Sequence, residues 1–215
     1  MHTLSNEETS SSILRDNDNT RMIYSLQHLL ENFGVSKTRL INDLFDPNIL
    51  TYINIGRFDK QKGHDRLIRA FESYNEEFNN SRLLIVAPYG PIKKETIEQV
   101  KKSPVAENIY LLGRMNNPYP LLSFVDAFVL SSYYEGLGLV VYEALALDKQ
   151  VITVNLDTTM KYLQNKEVIS VDNSEGGILN GFLAFHNGYR TKNKFDFQQY
   201  KNNCINEFEA LFNNK

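Results

Sequence analysis

Two glutamates eight positions apart, Glu135 and Glu143, bracket Gly136 and Gly138 in the stretch Ser131-Ser-Tyr-Tyr-Glu135-Gly-Leu-Gly-Leu-Val-Val-Tyr-Glu143-Ala-Leu-Ala. An apolar run of strand composition, Ala127 to Leu130, precedes it, and a helical apolar pattern follows. Glycines let backbone amides approach a ligand closely, and a helix N-terminus favours negative charge there. The glutamates would then accept hydrogen bonds from hydroxyl groups. A plain strand-to-helix turn, with one solvated and one capping glutamate, fits these letters equally well.

A second chemically equipped stretch is Ile55-Gly56-Arg57-Phe58-Asp59-Lys60-Gln61-Lys62-Gly63-His64-Asp65. Its glycine spacing matches neither a dinucleotide fingerprint nor a Walker A loop. It carries a guanidinium and ammonium groups on one short loop, able to grip a diphosphate bidentately and as a point charge. Solvated lysines and arginines are the commoner case, and Lys60 reads as one. Arg57 and Lys62 for phosphates, with Glu135 and Glu143 for hydroxyls, together describe a nucleotide-sugar site.

The elements that must position these groups follow from periodicity. Short apolar runs at Tyr52–Ile55, Leu83–Ala87, Ile109–Leu112, Ala127–Leu130, Val151–Val154 and Val168–Val171 predict strands. Amphipathic segments at His64–Tyr74, Lys93–Lys102, Pro120–Phe124, Leu139–Leu147 and Thr158–Gln164 predict helices between them. Alternation of this kind implies βαβ units and a doubly wound, Rossmann-like α/β fold with a parallel sheet covered on both faces. Ligands then bind beyond the carboxyl ends of the strands, where both charged stretches fall. Helix-like Ile178–Phe185 and Phe195–Phe212 close the chain, and Met22 to Phe33 repeats apolar residues at helical spacing. Residues 1–50 read as polar tail, amphipathic helix and linker, and residues 51–215 as the sheet domain with terminal helices.

At 215 residues, one ordinary core is the expectation. A net charge of −3 with interspersed signs supplies no field for nucleic acid or anionic lipid. The single cysteine, Cys204, excludes an intramolecular disulfide and any CxxC site, and it reads as a buried or half-buried thiol. Asp16-Asn17-Asp18 has the letters of a metal-binding motif but no strand before it to hold ligands in place, so no metal site is assigned. No apolar run approaches the roughly 20 residues of a membrane span, and a cytoplasmic location is expected. His64 opens a helix within reach of a bound diphosphate but reads rather as a surface or capping histidine, and His186 reads as a complement to a helix dipole. Asp126 and Tyr133-Tyr134 read as structural, and Ser132 has no partners for nucleophilic work.

Taken in order, these motifs resemble a known family. Gly56-Arg57-Phe58, Lys62-Gly63 and Leu67-Ile68-Arg69-Ala70-Phe71 resemble the G-R-x-x-x-x-K-G-x-x-x-L-I-x-A-F signature of GT-B glycosyltransferases of the GT4 type. Glu135 to Glu143 resembles that family's E-x7-E motif, and Asn108–Gly113 and Val125–Ser131 occur in the family's order. The resemblance covers Thr51 to Val171 and implies the C-terminal, donor-binding half of a GT-B fold. By it, Arg57 and Lys62 would bind the donor diphosphate and stabilise the departing nucleotide, and Glu135 would contact the transferred sugar, with the amides of Gly136, Leu137, Gly138 and Leu139 facing its hydroxyls and phosphate. Glu143 would hold the ribose, and Gly113 with Arg114 would lie near the base. It also implies a retaining, metal-free transfer with no cofactor beyond the nucleotide-sugar donor, to a hydroxyl acceptor such as a cell-envelope polymer, at or near the inner face of the membrane.

The departures are Ala87-Pro88-Tyr89-Gly90 where the family has Gly-x-Gly, Asp148-Lys149-Gln150 for Gly-x-Pro, and Asn155–Thr159 for a glycine-rich segment. Residues 1–50 are too few for the family's acceptor domain, so a missing N-terminal domain or partner chain is expected. A non-catalytic nucleotide-sugar-binding or accessory subunit is the alternative, and a degenerate sheet domain used for assembly is the third reading.

Overall fold

A computed structural model of the chain describes residues 39, 42–44, 46–161, 163, 167–191 and 195–213. The expected helix Met22–Phe33 and the discarded Asp16-Asn17-Asp18 lie outside the described residues. Six strands form one all-parallel sheet: β1 (Leu50–Ile55), β2 (Ser81–Val86), β3 (Ile109–Leu112), β4 (Ala127–Leu130), β5 (Gln150–Val154) and β6 (Ile169–Val171). Their order is β3-β2-β1-β4-β5-β6. Helices alternate with them: α1 (His64–Glu77), α2 (Lys93–Lys102), α3 (Tyr119–Phe124), α4 (Leu139–Ala146), α5 (Asp157–Met160), α6 (Glu175–His186) and α7 (Phe197–Asn213). All six expected strands are present, with ends moved by at most two residues. The helix expected over Thr158–Gln164 is a single turn ending at Met160, and two short 3₁₀ turns, Lys60–Lys62 and Ala106–Asn108, were not foreseen.

Alternation along the strands explains both faces. Tyr52, Leu83, Ile85, Ile109, Leu111, Ala127 and Val129 pack on one face with Leu67, Ile68 and Phe71 of α1 and Phe182 of α6. Ile53, Leu84, Tyr110, Leu112, Phe128 and Leu130 pack on the other with Leu121 and Leu122 of α3 and Val141 and Leu145 of α4. Every residue of β2 is buried, as a strand in the middle of a two-faced parallel sheet requires. On the first face, Tyr52, Tyr74 and Phe182 form an aromatic cluster, with Tyr52–Phe182 centroids 4.7 Å apart. His186 does sit in the last turn of α6, but its ring also packs on Phe78 and shares a 3.0 Å hydrogen bond with the Tyr74 hydroxyl.

Residues before β1 are tied to the same body. Asp43 pairs with Arg82 Nε at 2.5 Å and accepts from the Tyr110 hydroxyl at 2.9 Å, while Leu44 enters the core. Asp126 accepts from the Thr51 amide at 2.7 Å, the structural role its strand-edge position suggested. Cys204 is half-buried on α7.

This order reverses direction between β1 and β4. The loops after those two strands, residues 56–63 and 131–138, therefore face each other across the crevice that such a reversal opens at the carboxyl edge.

Candidate functional site

The loop after β1 owes its shape to Asp59 and Gly63. The Asp59 carboxylate accepts from the Gln61 amide at 3.1 Å and caps the Lys60–Lys62 turn, and Gly63 ends it at φ +64°. A Cβ on Gly63 would stand 2.3 Å from the Ser131 carbonyl oxygen, so glycine is demanded by contact as well as by conformation. That contact brings the two loops together. Ser131 Oγ donates to the Lys62 carbonyl at 2.9 Å, the Tyr133 amide donates to the Gln61 carbonyl at 2.8 Å, and Gln61 Nε2 donates to the Tyr134 carbonyl at 2.9 Å.

Across this lacing, Lys62 Nζ lies 2.7 Å from Glu135 Oε1, with side chains only 18% and 7% exposed. The missing Cβ of Gly56 leaves room for the Lys62 stem, whose Cδ would be 3.1 Å from it. Ser132 Oγ donates to the same glutamate oxygen at 2.5 Å, and Thr158 Oγ1 donates to the Glu135 carbonyl at 2.8 Å. Glu135 is thus held at both its backbone and its head. Gly138 follows at φ +61° and leads into α4 without any side-chain cap, so the first amides of that helix are not claimed by a capping residue.

The remaining candidates divide by distance. Arg57 is 52% exposed, its guanidinium 4.0 Å from Asp59, and it reaches neither Lys62 nor Glu135. Gly136, Leu137 and Leu139 are exposed on the rim. Glu143 is half-buried one turn along α4 and accepts a hydrogen bond from Tyr119; burial, partly offset by that bond, raises its pKa. Tyr119 opens α3 and so joins Glu143 to the loop after β3 that starts at Gly113 and Arg114. Gly113 is buried and Arg114 exposed; they follow β3, which is separated from β4 in the sheet by β2 and β1. One cleft edge therefore carries the Lys62–Glu135 pair at its centre and Glu143 with Tyr119 on the β3 side. Lys60 is exposed, as expected.

One expectation changes. His64 is neither superficial nor a cap: it has no exposed surface, and its Nε2 faces Asn54 Oδ1 at 3.1 Å. Asn54 Nδ2 donates to the Val129 carbonyl at 2.8 Å, which leaves its oxygen toward the ring and makes Nε2 the donor. Nδ1 has no partner, and burial, with the Lys62 charge second, lowers the pKa from its ordinary 6.5 to about 4. The segment Ala87–Gly90, whose Pro88 lacks an amide for phosphate, stands beside the same loop. It braces the β1 loop instead, the Phe58 amide donating to the Tyr89 carbonyl at 2.8 Å and the Ile92 amide to the Phe58 carbonyl at 3.2 Å.

Sequence reasoning missed Arg66, Asn173 and Thr158. Arg66 is buried and donates to the carbonyls of Ser131 at 2.8 Å and Ser132 at 2.7 Å and to Asn173 Oδ1 at 2.6 Å, under the Tyr133 ring. Asn173 Nδ2 donates in turn to the Tyr133 carbonyl at 3.1 Å. An arginine in the first turn of a helix reads as solvated, and nothing in the local letters marks it otherwise.

The strand order and the flanking helices define a Rossmann-like α/β domain, with the two charged loops meeting at the carboxyl edge where the order reverses. The chain belongs to the glycosyl transferases group 1 family, whose model matches residues 42–198. It is 40% identical over 136 residues to an uncharacterized glycosyltransferase of Methanocaldococcus jannaschii, covering 63% of this chain and 33% of the relative. It is 28% identical over 134 residues to a capsular polysaccharide biosynthesis glycosyltransferase of Staphylococcus aureus, covering 60% and 33%. Among solved structures, TarM aligns with a TM-score of 0.60 at 21% identity, covering 66% of this chain and 30% of that one. Anabaena HepE, solved with UDP and glucose, aligns at 0.61 and 17% identity, covering 70% and 42%. These likenesses establish the GT-B glycosyltransferase fold for the sheet domain. The chain spans about a third of the length of the curated relatives it matches.

Proposed function

We propose that this chain is the donor-binding part of a glycosyltransferase, which holds a nucleotide-activated sugar in the cleft between β1 and β4 for transfer to a hydroxyl. The observation that carries the reading is the Lys62–Glu135 contact of 2.7 Å at the switch point, where a phosphate-binding cation and a hydroxyl-binding carboxylate stand side by side. Lys62 and the exposed Arg57 neutralise the donor diphosphate as it departs, in place of a metal ion. Glu135 accepts from the sugar hydroxyls, the α4 amides face phosphate or sugar oxygens, and Glu143 receives the ribose. Gly113 and Arg114 border the base. The sugar keeps its anomeric configuration in this reading, as the motif resemblance implies.

The acceptor is a cell-envelope polymer, by analogy with relatives named for capsular polysaccharide, lipopolysaccharide core and O-antigen biosynthesis. A second domain or partner chain supplies the acceptor site, and the transfer takes place in the cytoplasm at the membrane's inner face. Among the described residues no helix is long and apolar enough to cross a membrane.

Calorimetric titration with UDP, GDP, ADP and CDP sugars is the test. One nucleotide class should bind, and Arg57→Ala should weaken it by about tenfold to a hundredfold, the loss of a charge-assisted hydrogen bond. A folded sample that binds none of the four overturns the reading. Binding without turnover, once a matching acceptor domain is supplied, would favour the accessory subunit instead.

A further inference from the structure

We infer that Glu135 shifts the cleft's preference away from the free nucleoside diphosphate and toward a sugar-bearing nucleotide. This rests on the donor-site reading above and adds to it a discrimination that no relative's name implies. The carboxylate is fixed: Ser132 Oγ and Lys62 Nζ both hold Oε1, and the Thr158 hydroxyl holds the residue's carbonyl. It is also 7% exposed, so water screens it weakly. A phosphate that comes to Lys62 therefore comes to the side of a negative charge that cannot swing away.

The two ligands differ in charge at that position. In a nucleotide sugar the distal phosphate is a diester with one negative charge. In the free diphosphate it ends the chain as a monoester, and at neutral pH it carries close to two. The additional charge gains one contact to Lys62 but meets Glu135 at nearly the same distance, because the two side chains touch. The donor meets no such penalty. Its sugar hydroxyls can donate to Glu135 Oε2, which accepts no hydrogen bond from the described residues. One carboxylate thus favours the donor and offsets part of the attraction that Lys62 and Arg57 exert on the spent nucleotide.

The test uses matched pairs, UDP with UDP-glucose, GDP with GDP-mannose, ADP with ADP-glucose and CDP with CDP-glucose, taking the pair that the unaltered chain binds most tightly. Glu135→Gln preserves shape and the Ser132 hydrogen bond while removing the charge. Binding of the free diphosphate should tighten by about tenfold, and binding of the nucleotide sugar should weaken or stay level. A variant that binds the free diphosphate no better than the unaltered chain overturns the inference while leaving the donor site standing. If the unaltered chain binds no member of any pair, the donor site itself falls and takes the inference with it.

Discussion

Lys62→Met is expected to cost about 3 kcal/mol of stability as well as nucleotide binding, because it leaves the little-exposed Glu135 carboxylate without its cation. Breaking one side of such a pair costs more than the pair contributes, since the remaining charge has been taken from water without compensation. The double variant Lys62→Met/Glu135→Leu should therefore recover most of the loss, to within about 1 kcal/mol of the unaltered protein. Neither variant should bind a nucleotide sugar. Urea unfolding of the two single and the double variants, with calorimetry on each, separates the two roles. A double variant no more stable than Lys62→Met would show that the pair is incidental to the packing of the two loops.

Acid should destabilise the protein through His64, over a window set by its burial. The folded-state pKa is about 4 against an ordinary 6.5, with burial the first cause and the Lys62 charge the second. Below pH about 6.5 the unfolded chain takes up a proton that the folded chain refuses, so stability falls as pH drops from about 6.5 to about 4 and this contribution is level outside that range. The two-and-a-half-unit difference amounts to about 3 kcal/mol. His64→Asn should flatten that part of the stability profile, and equal slopes for variant and unaltered protein between those limits would contradict the assignment. The proton matters to the site because His64 directly follows Gly63, so a charge on its ring would load the same loop that carries Lys62.

How far the letters led depends on whether a feature is local. Strands such as Ile109–Leu112 and Ala127–Leu130 were readable because an unbroken apolar run between turn signals has few other uses. Arg57, Lys62, Glu135 and Glu143 stood out by type and spacing, which are local features. Contact was not: Lys62 and Glu135 are 73 positions apart, and only the β1–β4 adjacency makes them neighbours. His64 misled because a polar residue at a helix start is ordinarily wet, whereas Gly63 wedged against Ser131 draws this helix start beneath the β4 loop. Arg66 misled in the same way, its guanidinium being spent on carbonyls of a loop distant in sequence. Pro88 pointed to a lost phosphate contact, and the structure shows what that segment does in its place, buttressing Phe58.

The central claim is that a nucleotide sugar lies at the carboxyl ends of β1 and β4. Mapping amide resonances by NMR while the bound member of the panel is added tests it most directly. Shifts should concentrate in residues 56–63 and 131–143, with a smaller group at 113–119 on the β3 side. Shifts centred instead on the groove between α5 and α7, lined by Lys161, Phe195 and Gln199, would contradict the account.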